Sequence, residues 1–136
     1  MRILIFSDSH GKYEAMKAAL IENYLIGAIL FLGDGIKDFE RLKSEFPGRT
    51  YAAVKGNTDG FFISGYQNES MIVLENKMIL MMHGHTRNVK DGPEEAVAAA
   101  RAREADILLY GHTHKANELY LPAGNTLNSK PLRVFC

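Results

Sequence analysis

Short apolar runs alternate with amphipathic stretches along most of this chain, and each long run stops at a small polar cluster. Residues 2–6 form a nearly continuous apolar run, the pattern of a parallel strand buried on both faces. Over residues 12–25, Met16, Ala19, Leu20 and Tyr24 recur at helical spacing and predict an amphipathic helix facing a core. Residues 28–32 repeat the buried-strand pattern. Residues 36–46 predict a second helix, with Ile36, Phe39, Leu42 and Phe46 inward, stopped by Pro47-Gly48. Residues 50–54 predict a third strand. This β-α-β-α-β opening implies a parallel sheet with right-handed crossovers.

The middle of the chain follows another pattern. Residues 70–74 and 78–82 are strand-like and separated only by Glu75-Asn76-Lys77, the spacing of a hairpin. Met78, Met81 and Met82 belong to this run and are read as core. Asp91-Gly92-Pro93-Glu94-Glu95 opens an alanine-rich helix to about Ala105, with proline near the first turn and acids at the positive end of its dipole. Its Glu94, Glu95, Arg101 and Arg103 predict an exposed charged face. Residues 106–110 are a further buried strand. Residues 118–121 and 132–135 are short strand candidates flanking a turn at Gly124-Asn125. The glycine-rich stretch 56–65, with Phe61 and Phe62, is expected to be a mobile loop.

Five polar clusters close these runs: Asp8-Ser9-His10, Gly33-Asp34-Gly35, Gly56-Asn57-Thr58-Asp59, His83-Gly84-His85 and Gly111-His112-Thr113-His114. All five histidines of the protein lie in them. Loops leaving the carboxyl ends of strands in an open α/β sheet converge on one edge, so residues far apart in sequence can meet there. Imidazole mixed with carboxylate and amide oxygen suits Mn, Fe, Co, Ni or Zn better than Ca or Mg. With two divalent ions and only Asp8 and Asp34 as charged ligands, the site keeps a net charge of about +2, which suits a phosphate ester. Taken singly, the signals are weak: Gly33-Asp34-Gly35 and Asn57 with Asp59 are ordinary turn chemistry, with Asp59 read as a turn residue or a supporting partner. Arg87 and Lys90 are read as loop charges, with a substrate-phosphate anchor as the alternative.

The chain has 136 residues, one domain's worth, with 46% hydrophobic and 24% charged residues. Sixteen basic residues balance sixteen acidic ones, so no global charge favours nucleic acid or a membrane surface. The one cysteine, Cys136, excludes an internal disulfide and fits a reducing cytoplasm. The N-terminal apolar run is too short for a signal peptide or membrane span.

The ordered series Asp-x-His, Gly-Asp, Gly-Asn-x-Asp, His-Gly-His and Gly-His-x-His resembles the calcineurin-like metallophosphoesterases, over residues 1–114. It is most similar to their small bacterial and archaeal phosphodiesterase branch, to which the retromer scaffold subunit is also similar. The resemblance implies an α/β fold of two stacked mixed β-sheets flanked by helices. It implies two divalent transition ions, Mn foremost, with Ni, Co, Fe or Zn as alternatives. One ion would take Asp8, His10, Asp34 and His114; the other Asp34, Asn57, His83 and His112. A hydroxide bridging them would attack phosphorus in line on a small phosphate ester, with Asp34 and Asn57 in catalytic positions.

Two departures from the family pattern stand out. Where many members carry histidine directly after the asparagine, this chain has Thr58, which has no pKa near neutrality; losing such a group costs about 10²- to 10⁴-fold. Activity is therefore expected to favour good leaving groups, with His85 or water serving poorer ones. The family's Asn-Pro-Gly-Ser turn and later strands are also missing: Leu127-Asn128-Ser129-Lys130-Pro131 stands there instead, and the C-terminus looks shortened. An open sheet edge would favour a homodimer or higher oligomer, which concentration-dependent sedimentation would reveal. The rival reading is a protein-interaction module on the same fold, catalytically weak or inactive. A Rossmann-like nucleotide domain is disfavoured, because no Gly-x-Gly-x-x-Gly or Gly-Lys-[Ser/Thr] loop follows the first strand.

Overall fold

The computed structural model describes residues 1–60, 65–124 and 130–136. Elements follow in the order β1 (Ile3–Phe6), α1 (Tyr13–Glu22), β2 (Ala28–Phe31), α2 (Ile36–Glu45), β3 (Thr50–Ala53), β4 (Glu69–Leu74), β5 (Lys77–Met82), α3 (Glu94–Ala102), β6 (Ile107–Tyr110), β7 (Glu118–Leu121) and β8 (Leu132–Phe135). Two 3₁₀ turns, His85–Arg87 and Val89–Asp91, bridge β5 to α3. No sequence signal had marked them.

Two sheets form. The first has the order β1-β2-β3 and is parallel throughout its described strands, as expected when helices make both crossovers. The second, β4-β5-β6-β8-β7, carries the mixed character. The β4–β5 and β7–β8 pairs are antiparallel, while β5, β6 and β8 run parallel.

Strand pleating explains why the sheets stack. In β2 and just beyond, Ile29 and Phe31 point to one face and Leu30 and Leu32 to the other. The first pair packs under Tyr13, Met16 and Leu20 of α1 and Ile36, Phe39 and Leu42 of α2. The second meets Ile79, Met81 and Leu109 of the other sheet. Leu80, Met82, Leu108 and Val134 then turn outward onto Ala96, Ala99 and Ala100 of α3. The result is a four-layer helix–sheet–sheet–helix sandwich. Met81 and Met82 are core, as their sequence context predicts, while Met78 at the start of β5 is only half-buried and joins no core cluster of the described residues.

Four sequence expectations need correction. Helix α1 ends at Glu22, where the backbone N–H of Asn23 reaches Leu20 O and its side-chain amide donates to Ala19 O. Tyr24 is left 66% exposed. Strand β1 is not buried on both faces: it lies at a sheet edge, and Ile5 is 43% exposed. Arg101 does not stand free on a solvated face; its guanidinium donates to Lys130 O at 2.6 Å and Pro122 O at 3.2 Å, tying α3 to the C-terminal segment. Helix α3 ends at Ala102, short of the predicted end near Ala105. Phe61 and Phe62, Asn125, and residues 127–129 of the degenerate C-terminal motif lie outside the described residues. Among the described residues no helix is long and apolar enough to cross a membrane.

Candidate metal centre

All five polar clusters leave the carboxyl ends of strands: Asp8 follows β1, Asp34 follows β2, Asn57 follows β3, His83 follows β5 and His112 follows β6. The loops are cross-tied by backbone bonds. Asp8 N donates to Gly33 O, His10 N to Asp34 O, and Gly111 N to His83 O, each at 2.9–3.0 Å.

Six of the seven predicted metal-ligating side chains converge as two trios, Asp8–His10–His114 and Asp34–His83–His112, whose donor atoms lie within 4.8 Å of one another in each. Asp34 joins them. Its Oδ2 is 3.2 Å from His83 Nε2 and 3.7 Å from His10 Nε2, while His10 Nε2 is also 3.7 Å from Asp8 Oδ1. His114 Nε2 lies 3.1 Å from Asp8 Oδ1. Asn57, an amide donor of a different type, is exposed and lines a cavity of about 290 Å³ together with His85.

The chemistry of these donors fits divalent ions. His83 is fully buried, and its Nδ1 lies 2.8 Å from Leu32 O. A carbonyl only accepts, so Nδ1 carries the proton and Nε2 presents a lone pair to Asp34 and, at 3.1 Å, to His112 Nδ1. An imidazole lone pair, a second ring nitrogen and a buried carboxylate facing one point make a cation's donor set. Burial, and next the neighbouring His83, hold the His112 imidazolium below its ordinary range, which favours the neutral, ligating form. Burial pushes the Asp8 carboxyl upward, but the Ser7 hydroxyl, the His112 N–H, His83 and His114 together bring it below its usual value.

Backbone conformation sets these donors. Asp8, His10, Asp34, His112 and His114 all adopt positive φ, between 44° and 70°. For residues with a Cβ that region costs about 1–2 kcal/mol each. The turns are held by partners outside the trios. Ser7 Oγ donates to Asp8 Oδ2 at 2.6 Å, and Asp38 Oδ2 accepts from Ser9 Oγ and Gly11 N.

Asp59 is the strongest of these supports. Its Oδ2 accepts from Asp34 N and Gly56 N, and its Oδ1 from Gly35 N and Ile36 N, at 2.7–3.0 Å. One carboxylate therefore fixes the Asp34 turn, the Asn57 loop and the start of α2, where Gly35 has no side chain to cap with. Asp59→Asn keeps one acceptor oxygen and aims an amide N–H₂ at donors. It is expected to lose about 2–3 kcal/mol of stability and 10- to 100-fold of Mn²⁺ affinity. Urea denaturation and a metal titration on the same protein check both.

His85 lies beyond the trios, its ring 5.5 Å from that of His83 and 6.3 Å from that of His112. Burial, then His83, lowers its imidazolium pKa. Its Nδ1 is buried without a hydrogen-bond partner among the described residues, so no protein group fixes its tautomer. Thr58 contributes its backbone N–H to Asp34 Oδ1 at 2.9 Å. Arg87 is unavailable to a substrate because its guanidinium is forked onto Glu69. Ser7, Asp38, Lys55 and Asn68 carried no motif that would have singled them out.

The sequence matches the calcineurin-like phosphoesterase superfamily domain over residues 1–127. The chain belongs to this family. A probable metallophosphoesterase of Bacillus subtilis, YsnB, is 29% identical over 136 residues, covering 98% of this chain and 76% of the relative. Among solved structures, a predicted phosphoesterase from Streptococcus pneumoniae superposes with a TM-score of 0.75 at 24% identity, covering 98% of this chain and 69% of the other. Zinc-complexed Vps29 from Entamoeba histolytica superposes with a TM-score of 0.72, also at 24% identity, covering 98% and 73%. These two likenesses establish the metallophosphoesterase-type fold of two sheets flanked by helices.

Proposed function

We propose that this member of the family is a binuclear metal-dependent phosphodiesterase, acting in the cytoplasm on a small phosphate ester. The observation that carries the reading is the meeting of two donor trios at one buried carboxylate, Asp34. Asp8, His10, Asp34 and His114 would hold one divalent ion, and Asp34, Asn57, His83 and His112 the other, with Mn the foremost choice. When bound, such ions supply Lewis-acid stabilisation of phosphoryl charge and a nucleophile at neutral pH.

The residues of the chain do the rest. Leu32 O holds His83 in its ligating tautomer, and Asp59 and Asp38 keep the two acidic turns in register. The imidazole of His85, beside the trios, would donate a hydrogen bond toward an ester oxygen, while Thr58 offers no proton of suitable pKa. Good leaving groups should therefore be favoured.

The test is hydrolysis of bis(p-nitrophenyl) phosphate. Chelator-stripped protein is expected to be silent and to regain saturable turnover as Mn²⁺ is returned. Folded protein that stays silent with Mn, Ni, Co and Zn overturns the enzymatic reading and supports the second one, an interaction module on this fold. Thr58 favours that second reading. The five donors held in costly left-handed backbone favour catalysis. Self-association through the sheet edge at the shortened C-terminus also stands as a proposal, and β7 is the edge strand on that side among the described residues.

A further inference from the structure

Lys55 leaves the end of β3 immediately before Gly56 and Asn57. Its backbone is pinned, since Lys55 N donates to Gln67 O at 3.0 Å. The residue is half-buried, and with Gly56, Asn57, Gly60, Asn68 and His85 it lines the cavity of about 290 Å³ beside the donor trios. Among the described residues, no acidic side chain lines that cavity. Among the described residues, lysine and arginine ion pairs join Lys17 and Arg41 to Glu45, Arg87 to Glu69 and Lys130 to Asp106, and none includes Lys55. Asp59, whose charge is felt at His85 together with that of Lys55, has both oxygens committed to four backbone N–H groups. A half-buried lysine without an ion-pair partner among the described residues, sharing its cavity with two carboxamides and an imidazole, is complementary to an anion.

We propose that this cavity is a second anion subsite, in which Lys55 and Asn68 bind a phosphate carried on the organic arm of the ester. The inference rests on the phosphoesterase reading and deepens it: the substrate class becomes phosphoesters whose alcohol bears a phosphate of its own. The subsite discriminates between substrates by charge at a distance from the scissile bond. Its effect therefore belongs in binding rather than in the chemical step.

Thymidine 5′-monophosphate and thymidine 3′,5′-bisphosphate differ by one such phosphate and serve as probes. Titrated calorimetrically into Mn²⁺-loaded protein, with ligand integrity checked by phosphate release, the bisphosphate is expected to bind about ten-fold tighter. Lys55→Gln should lose that preference and Lys55→Arg should keep it, a pattern that a merely structural lysine would not give. Equal binding of the two probes by the unmodified protein overturns the subsite, as does a preference that survives in Lys55→Gln. Failure of the enzymatic reading is seen separately, as absence of bis(p-nitrophenyl) phosphate turnover under every metal condition, and a calorimetric preference for the bisphosphate is independent of it.

Discussion

Asp34→Asn is expected to reduce Mn²⁺-dependent turnover of bis(p-nitrophenyl) phosphate by about 10³-fold while leaving the fold intact. The reason is directional as well as electrostatic. Oδ1 of Asp34 accepts the Thr58 N–H at 2.9 Å, so the amide oxygen of asparagine must take that place. Its N–H₂ is then turned toward His83 Nε2, 3.2 Å from the present Oδ2, and donates to the lone pair a metal would need. One of the two charges in the donor set disappears, and the acceptor that faces both trios becomes a donor. Without metal the variant should melt at or slightly above the temperature of the unmodified protein, because like charge near Asp8 has been removed. The difference emerges on adding Mn²⁺. A ligand at 100 times its dissociation constant stabilises a protein by about 2.7 kcal/mol, and the variant should miss that increment. A variant that keeps both turnover and the metal-induced shift would remove Asp34 from the centre of the site.

Gly56→Ala should damage the same point from the other side. A Cβ there would lie 2.1 Å from Asp34 Oδ1 and 2.7 Å from Asp34 N. Retreat is blocked, because Gly33, with φ of +102°, approaches so closely that its own Cβ would meet Gly56 N at 2.6 Å. The loops leaving β2 and β3 thus touch backbone to backbone, and a methyl between them displaces the acidic turn. We expect a loss of about 3 kcal/mol, the upper end of overpacking costs, with a fall in Tm on the order of 10 °C and no measurable Mn²⁺-induced stabilisation. Gly27→Ala is the control, since the atoms nearest its methyl belong to the flexible side chain of Met1. Equal thermal shifts in the two variants would show that the Gly33–Gly56 contact has slack.

The central strands β2 and β6 were readable in the sequence because each is an unbroken apolar run, in β2 with one alternate set facing a helix layer and the other the facing sheet. Helix α1 was overextended because Tyr24 keeps the spacing, and periodicity does not register that Asn23 closes the last turn with its own amide. The β1 run resembles that of β2, yet β2 has two neighbours and β1 only one; pairing is a property of the sheet, not of the run. At the site, donor types and order were legible, and the trios gather six of the seven residues named. Their left-handed backbone was not, since aspartate and histidine, though enriched in that region, adopt it in only a minority of cases. Nor was the role of Asp59: its four donors come from two loops 20 or more residues apart, and only folding brings them to one carboxylate. Lys55 went unnoticed because a lone lysine before a glycine is ordinary until the surrounding cavity is known.

The left-handed donors also bear on how such a chain drifts. Glycine at position 8, 10, 34, 112 or 114 would relax the backbone by about 1 kcal/mol while deleting a donor. Mutation away from function is therefore downhill in folding energy at exposed His10, whereas at Asp8 and Asp34 the loss of the acceptors of the His112 and Thr58 N–H groups opposes it. A lineage released from catalysis would be expected to slide down that slope first, gaining thermostability as it loses ligands. This chain keeps a side chain at all five of those left-handed positions.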